Sequence, residues 1–239
     1  MRRTAPENYA LVIDGRRVPV RLRRNKRARR LILRTERNLD GGKPGVVVTL
    51  PKGVHEREAL EWAGTQVTWI SRSLGKLPER VPFLEGATIP LSGVDHVIRH
   101  RPDARRGVWT ADGIIFVSGR SEHLARRVMD WLKKEACARI TDKVHDKAGQ
   151  LDVGFGRVAI RDPKSRWGSC ASNGNLNFSW RLVMTPDFVF DYVVAHEVAH
   201  LLEHNHGAGF WRLVGQLTFE PERARAWLNS HGQGLHRYG

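Results

Sequence analysis

Five residues near the end of the 239-residue chain, His196-Glu197-Val198-Ala199-His200, have a spacing that specifies a chemistry. On a helix, residues four apart lie one turn apart on one face, about 6 Å along the axis. Two imidazoles so placed can converge on one cation, with Zn–N bonds of about 2.0–2.1 Å. Glu197, beside the first imidazole, is then placed to take a proton from a metal-activated water. An open catalytic site uses three protein ligands plus water, so a third donor is needed. His204 continues the i, i+4, i+8 series but would lie about 12 Å along the axis from His196, too far to share an ion. His206 suits better, since Asn205, Gly207 and Gly209 around it tolerate a turn back towards the helix. His204 then reads as a surface or neighbouring group. A bare HExxH also recurs by chance on solvated helices. Here four of the eleven histidines fall within residues 196–206, which favours a metal site.

These side chains need a helix to position them, and the local sequence supplies one. Pro186-Asp187 offers a start, and Phe188, Val189, Tyr192, Val193, Ala195, Val198, Ala199 and Leu202 give a wide apolar surface. The spacing predicts a core helix with its histidines facing a cleft. Upstream, Leu124, Val128, Trp131, Leu132, Ala136, Ile140 and Val144 predict a long helix over 121–148. Val158–Ile160 reads as a strand, and Asn173-Gly174 as a two-residue hairpin turn between Trp167–Cys170 and Leu176–Phe178. Further helices are expected over Phe210–Leu217 and from Pro221 onward.

The first third alternates short apolar runs with turn signals. Ala10–Ile13, Asp14-Gly15 and Val18–Val20 read as a hairpin, with strands near Leu31–Leu33 and Val46–Leu50. One helix is expected over His55–Leu74. Strands return at Thr88–Leu91, Val94–Ile98, Val108–Thr110 and Ile114–Val117, with turns at Ser92-Gly93 and Asp112-Gly113. The fold class is α+β: a basic, mostly antiparallel β-rich module with one helix over 1–119, followed by a catalytic domain over 120–239.

Composition sets further bounds. The apolar fraction of 41% suffices for packed cores. No run of 18 or more apolar residues argues for a membrane span. The N-terminal residues lack the apolar stretch of a secretory signal, and two cysteines make no disulfide framework, so a cytoplasmic setting is expected. The formal net charge of +15 is concentrated in residues 1–37, which hold thirteen Arg or Lys against three acids. That stripe is either a solvated sheet face or a surface for nucleic acid or nucleotide phosphates. No aromatic residue interleaves the Arg16–Arg30 run, which favours the solvated face.

Three pieces in order carry a resemblance: Lys164-Ser165-Arg166-Trp167-Gly168-Ser169-Cys170, then Asn173-Gly174-Asn175-Leu176-Asn177, then Tyr192 through His200 leading to Asn205-His206 and Phe210-Trp211. Together they resemble the YgjP-like metallopeptidases, relatives of SprT-like and WLM zincins. The match is densest over 160–228. The resemblance implies Zn2+ held by His196, His200 and His206, Glu197 as general base, and a zincin-like core with a small sheet and flanking helices. Gly207 stands where that family often has Ser. Metzincins share the spacing of the third histidine, but Glu203 replaces their Gly and no Met-turn is identifiable. The Lys164–Cys170 stretch is expected beside the site. Arg166 is a candidate substrate-binding group for an oxyanion or phosphate, or else part of a structural ion pair. Trp167 is expected in the core, and Cys170 as a small buried residue without a base to activate it. No oxyanion-stabilising group is assigned.

The reading with most support is a zinc-dependent hydrolase of peptides or proteins. A metal-dependent nucleoside triphosphate pyrophosphate hydrolase is the alternative, since a metal-activated water can attack phosphorus. A third is a nucleic-acid-associated protease or binding module using the basic stripe.

Overall fold

The protein is described by a computed structural model covering residues 9–40, 43–75 and 79–239. Two compact units form, Met1–Glu79 and Arg80–Gly239.

In the first unit, β1 (Tyr9–Ile13), β2 (Arg16–Arg24), β3 (Ile32–Asp40) and β4 (Lys43–Leu50) make one sheet in the order β1-β2-β4-β3. The expected first hairpin forms. Its turn places Asp14 and Gly15 at φ 48° and 72°, the positive pair that a tight hairpin of right-handed twist requires. On β2, Val18 and Val20 are buried while Arg17, Arg21 and Arg23 are exposed. Period-2 alternation thus turns these arginines to water. The helix expected over 55–74 is instead two: α1 (Glu56–Thr65) and α2 (Val67–Gly75). Gln66 leaves helical geometry at φ −99°, ψ 19°, following Gly64 and Thr65, both weak helix formers. The break lets Ala59, Ala63 and Ile70 join one core with Val46, Val48 and Leu50.

The second unit opens with β5 (Thr88–Leu91), β6 (Val94–Arg101), β7 (Val108–Ala111) and β8 (Ile114–Ser118), ordered β5-β6-β8-β7. The helix α3 (Leu124–Gln150) follows, then β9 (Val158–Arg161), β10 (Gly168–Cys170) and β11 (Leu176–Ser179) in the order β10-β11-β9. The chain ends in α4 (Asp187–Ala199), α5 (Ala208–Leu217), α6 (Pro221–His231) and a 3-10 turn, Gly232–Arg237. Each sheet pairs its hairpin strands antiparallel and also contains one parallel pair: β2 with β4, β6 with β8, and β9 with β11. The β10–β11 connection spans Ala171–Asn175, longer than the two-residue turn expected, with Gly174 at φ 76°.

The division after Glu79 differs from the boundary expected near 119. Ile89, Ile98, Ile115 and Val117 of the second sheet share a core with Val128, Leu132, Ala136 and Ile140 of α3 and with Val194 and Val198 of α4. Strands 88–118 are therefore built into the unit that carries the histidines. Among the described residues, no helix is long and apolar enough to cross a membrane.

One buried cation ties this unit's far end together. Arg181, 6% exposed, donates to Asp162 Oδ1 at 2.8 Å and to the carbonyls of Leu235 and Tyr238 at 2.9 and 2.8 Å. It fixes the segment after β9 against the C-terminal turn. Arg181→Met is expected to lower unfolding stability by roughly 2–3 kcal/mol, read by urea titration, since charged hydrogen bonds to buried carbonyls are lost.

Candidate active site

The apolar length of α4 explains why its polar residues stand where they do. Val189, Phe190, Val193, Val194, Val198 and Ala199 are buried and hold the helix in the core. In the last turn and at the C-cap, His196, Glu197 and His200 are the polar side chains. The helix stops at Ala199, with His200 at φ −67°, ψ −12°. The chain then turns back through 201–207 and brings His206 over the helix end.

The donor atoms of His196, His200 and His206 lie within 4.8 Å of one another. The Nε2 atoms of His196 and His206 face each other at 3.2 Å. Two nitrogens bound at about 2.0–2.1 Å to one tetrahedral ion would be about 3.3 Å apart, so these residues fit such an ion. His200 Nδ1 donates to the Glu203 carbonyl at 2.8 Å, which leaves its Nε2 lone pair as the one to offer. Burial first, then the nearby His200, His206 and Arg225, push the His196 pKa down to about 4. Burial also lowers that of His200. Both rings are thus neutral near pH 7, the form that can bind a cation. His204 is exposed and outside this cluster.

Beneath the three imidazoles lies Phe210 of α5, fully buried, with ring centroids 4.9, 4.5 and 4.6 Å from those of His196, His200 and His206. It supplies an apolar floor that restricts the rings. Tyr192 Oη approaches His196 Nδ1 at 3.4 Å from one turn earlier.

Glu197 is 6% exposed and lies against β10. A Cβ on Gly168 would come within 2.5 Å of Glu197 Cγ and 2.6 Å of Oε1, so only glycine admits this approach. The Cys170 backbone amide donates to the carboxylate. Burial raises the Glu197 pKa to about 7, while the Arg166 charge and the Cys170 amide oppose the rise. A carboxyl so poised can exchange a proton near neutral pH. Gly168→Ala is expected to displace Glu197 and lower turnover by about tenfold to a hundredfold while the fold persists. Steady-state kinetics with a circular-dichroism control reads both.

The Lys164–Cys170 stretch thus stands beside the histidine helix, as expected. Cys170 is half-buried, and its thiol pKa is raised by burial and by Glu197, so the thiol stays protonated and is not a ready nucleophile. Trp167, expected in the core, is half-buried and walls a cleft of about 460 Å³, its ring 5.7 Å from that of His236. Arg166 is exposed in the same cleft, with Tyr192 and Arg225. Sequence reasoning missed Gly168, Phe210 and Arg225 as parts of the site. A glycine inside a strand pattern was the one available signal, since it marks close backbone approach.

Residues 11–231 match the family described as YgjP-like, metallopeptidase domain. Among solved structures, the metallopeptidase zymogen of Pyrococcus abyssi abylysin is similar at 23% identity and a TM-score of 0.36, covering 41% of this chain and 97% of that one. No curated protein matches the chain.

Proposed function

The chain belongs to the YgjP-like metallopeptidase family, and from that premise we propose that it is a zinc-dependent peptidase acting on peptides or unfolded proteins. The observation that carries this reading is the three-imidazole cluster within 4.8 Å, with the buried Glu197 adjoining it. His196, His200 and His206 would hold the ion. When bound, zinc supplies a Lewis acid that polarises a carbonyl and acidifies water.

The chain's own residues do the rest. Glu197 accepts the proton of the attacking water and delivers it to the leaving amine, a task that suits a carboxyl whose pKa is raised to about 7. Gly168 and the Cys170 amide fix the carboxylate's orientation. Glu203, through its carbonyl, sets the His200 tautomer. Phe210 excludes water from beneath the site.

The test is cleavage of a peptide library by zinc-loaded protein before and after chelation. Activity is expected to vanish with the chelator and return on adding zinc. Cleavage that persists after complete metal removal would sink the proposal.

A further inference from the structure

The cleft beside the histidines has a charge and a position that the hydrolytic chemistry leaves unexplained. Its walls include Lys164 and Arg166 before β10, Tyr192 on α4, Arg225 on α6, and Gln233 and His236 from the C-terminal turn. No Asp or Glu is among the described residues that line it. The larger cavity, of about 680 Å³, is of mixed charge, lined by Asp142, Asp146, Asp187, Asp191 and Glu220 together with Arg139 and Lys143. The first would attract an anion.

The cleft adjoins the histidine helix through Tyr192. Tyr192 is shared between them, its ring 5.8 Å from that of His196.

Both arginines are exposed in the cleft. Arg225 lies over the Trp211 ring at 4.9 Å, which limits its rotation. Its contacts to Glu222, at 3.2 and 3.3 Å, are both through Nη1 and belong to an exposed pair one turn apart, a weak interaction in water. The wall itself is held from behind, since Arg181 ties Asp162 to Leu235 and Tyr238. A planar guanidinium fork matches a carboxylate in two parallel hydrogen bonds.

We infer that this cleft is a carboxylate subsite of the peptide-binding site, with Arg166 and Arg225 taking an acidic group of the substrate. The acidic group is either an Asp or Glu side chain or a free C-terminal carboxylate. This rests on the peptidase reading above and narrows its substrates to acidic peptides.

The test uses zinc-loaded Glu197→Gln protein, so that peptides bind without turnover, and reads fluorescence anisotropy of labelled peptides. Three matched sets separate the sources: an internal Glu with an amidated C-terminus, its Gln isostere with the same terminus, and that isostere with a free terminus. At least one acidic set is expected to bind about tenfold or more tightly than the neutral amide. The preference should fall to parity when Arg166→Gln and Arg225→Gln are combined, and partly persist with Arg166→Lys, which keeps charge without the fork. Both positions are exposed, so the replacements open no cavity, and circular dichroism checks the fold. Equal affinity for all three sets, or a preference that survives the double replacement, overturns the inference. So does tighter binding of a nucleoside triphosphate than of any acidic peptide. If the preference holds but wild-type protein with zinc cleaves none of the peptides, the subsite stands and the peptidase reading falls.

Discussion

Glu197→Gln is expected to lower kcat/KM for peptide hydrolysis by about 10²–10⁴-fold with zinc content unchanged, because general acid–base transfer contributes on that scale. The replacement is close to isosteric, so the fit against Gly168 survives. The amide oxygen can still accept from the Cys170 backbone amide. What disappears is the ability to take and return a proton. Burial makes the argument sharper, since a carboxylate 6% exposed is costly to keep charged. The neutral amide removes that cost, so thermal stability should hold or rise. A variant that loses stability together with activity would point to a structural role instead. A variant within about threefold of wild type would assign the proton transfer to another group.

The second large effect is expected at His206. His206→Ala should weaken zinc binding by at least about a hundredfold and abolish detectable hydrolysis, because two imidazoles cannot by themselves close a three-ligand catalytic site. Competition with a chromophoric chelator measures the affinity. His206 is exposed, so its loss opens no core cavity, and the fold should persist without metal. The matched control is His204→Ala, two residues away and outside the donor cluster, for which affinity and rate should stay near wild type. The reverse pattern, with His204 needed and His206 dispensable, would reassign the third ligand. The two outcomes also separate ligand loss from a general disturbance of the 201–207 turn.

The helix bearing His196 and His200 was readable because helical spacing is local: residues four apart meet whatever the rest of the chain does. The same holds for the Asp14-Gly15, Ser92-Gly93 and Asp112-Gly113 turns, each with positive φ at both positions. The stripe at Val128, Leu132, Ala136, Ile140 and Val144 likewise located α3, and all five are buried. The turn signals around His206 were local too, although nothing local could give its 3.2 Å approach to His196.

Other features depended on segments distant in the chain. Strands 88–118 have the same alternating pattern whichever core they enter, so their sharing of a core with α3 could not be read from it. The break at Gln66 was hidden because apolar residues on both sides keep a helical period.

Sequence alone determined which groups are present and which of them are neighbours on one helix, since those follow from backbone geometry over a few residues. Only the tertiary structure decided that Gly168 admits Glu197, that Phe210 lies under three imidazoles, and that Arg166 and Arg225 line one cleft. These pairings join residues 29, 14 and 59 positions apart in the case of Gly168–Glu197, His196–Phe210 and Arg166–Arg225. Packing of a whole core fixes such pairs, and no short window of sequence contains that information.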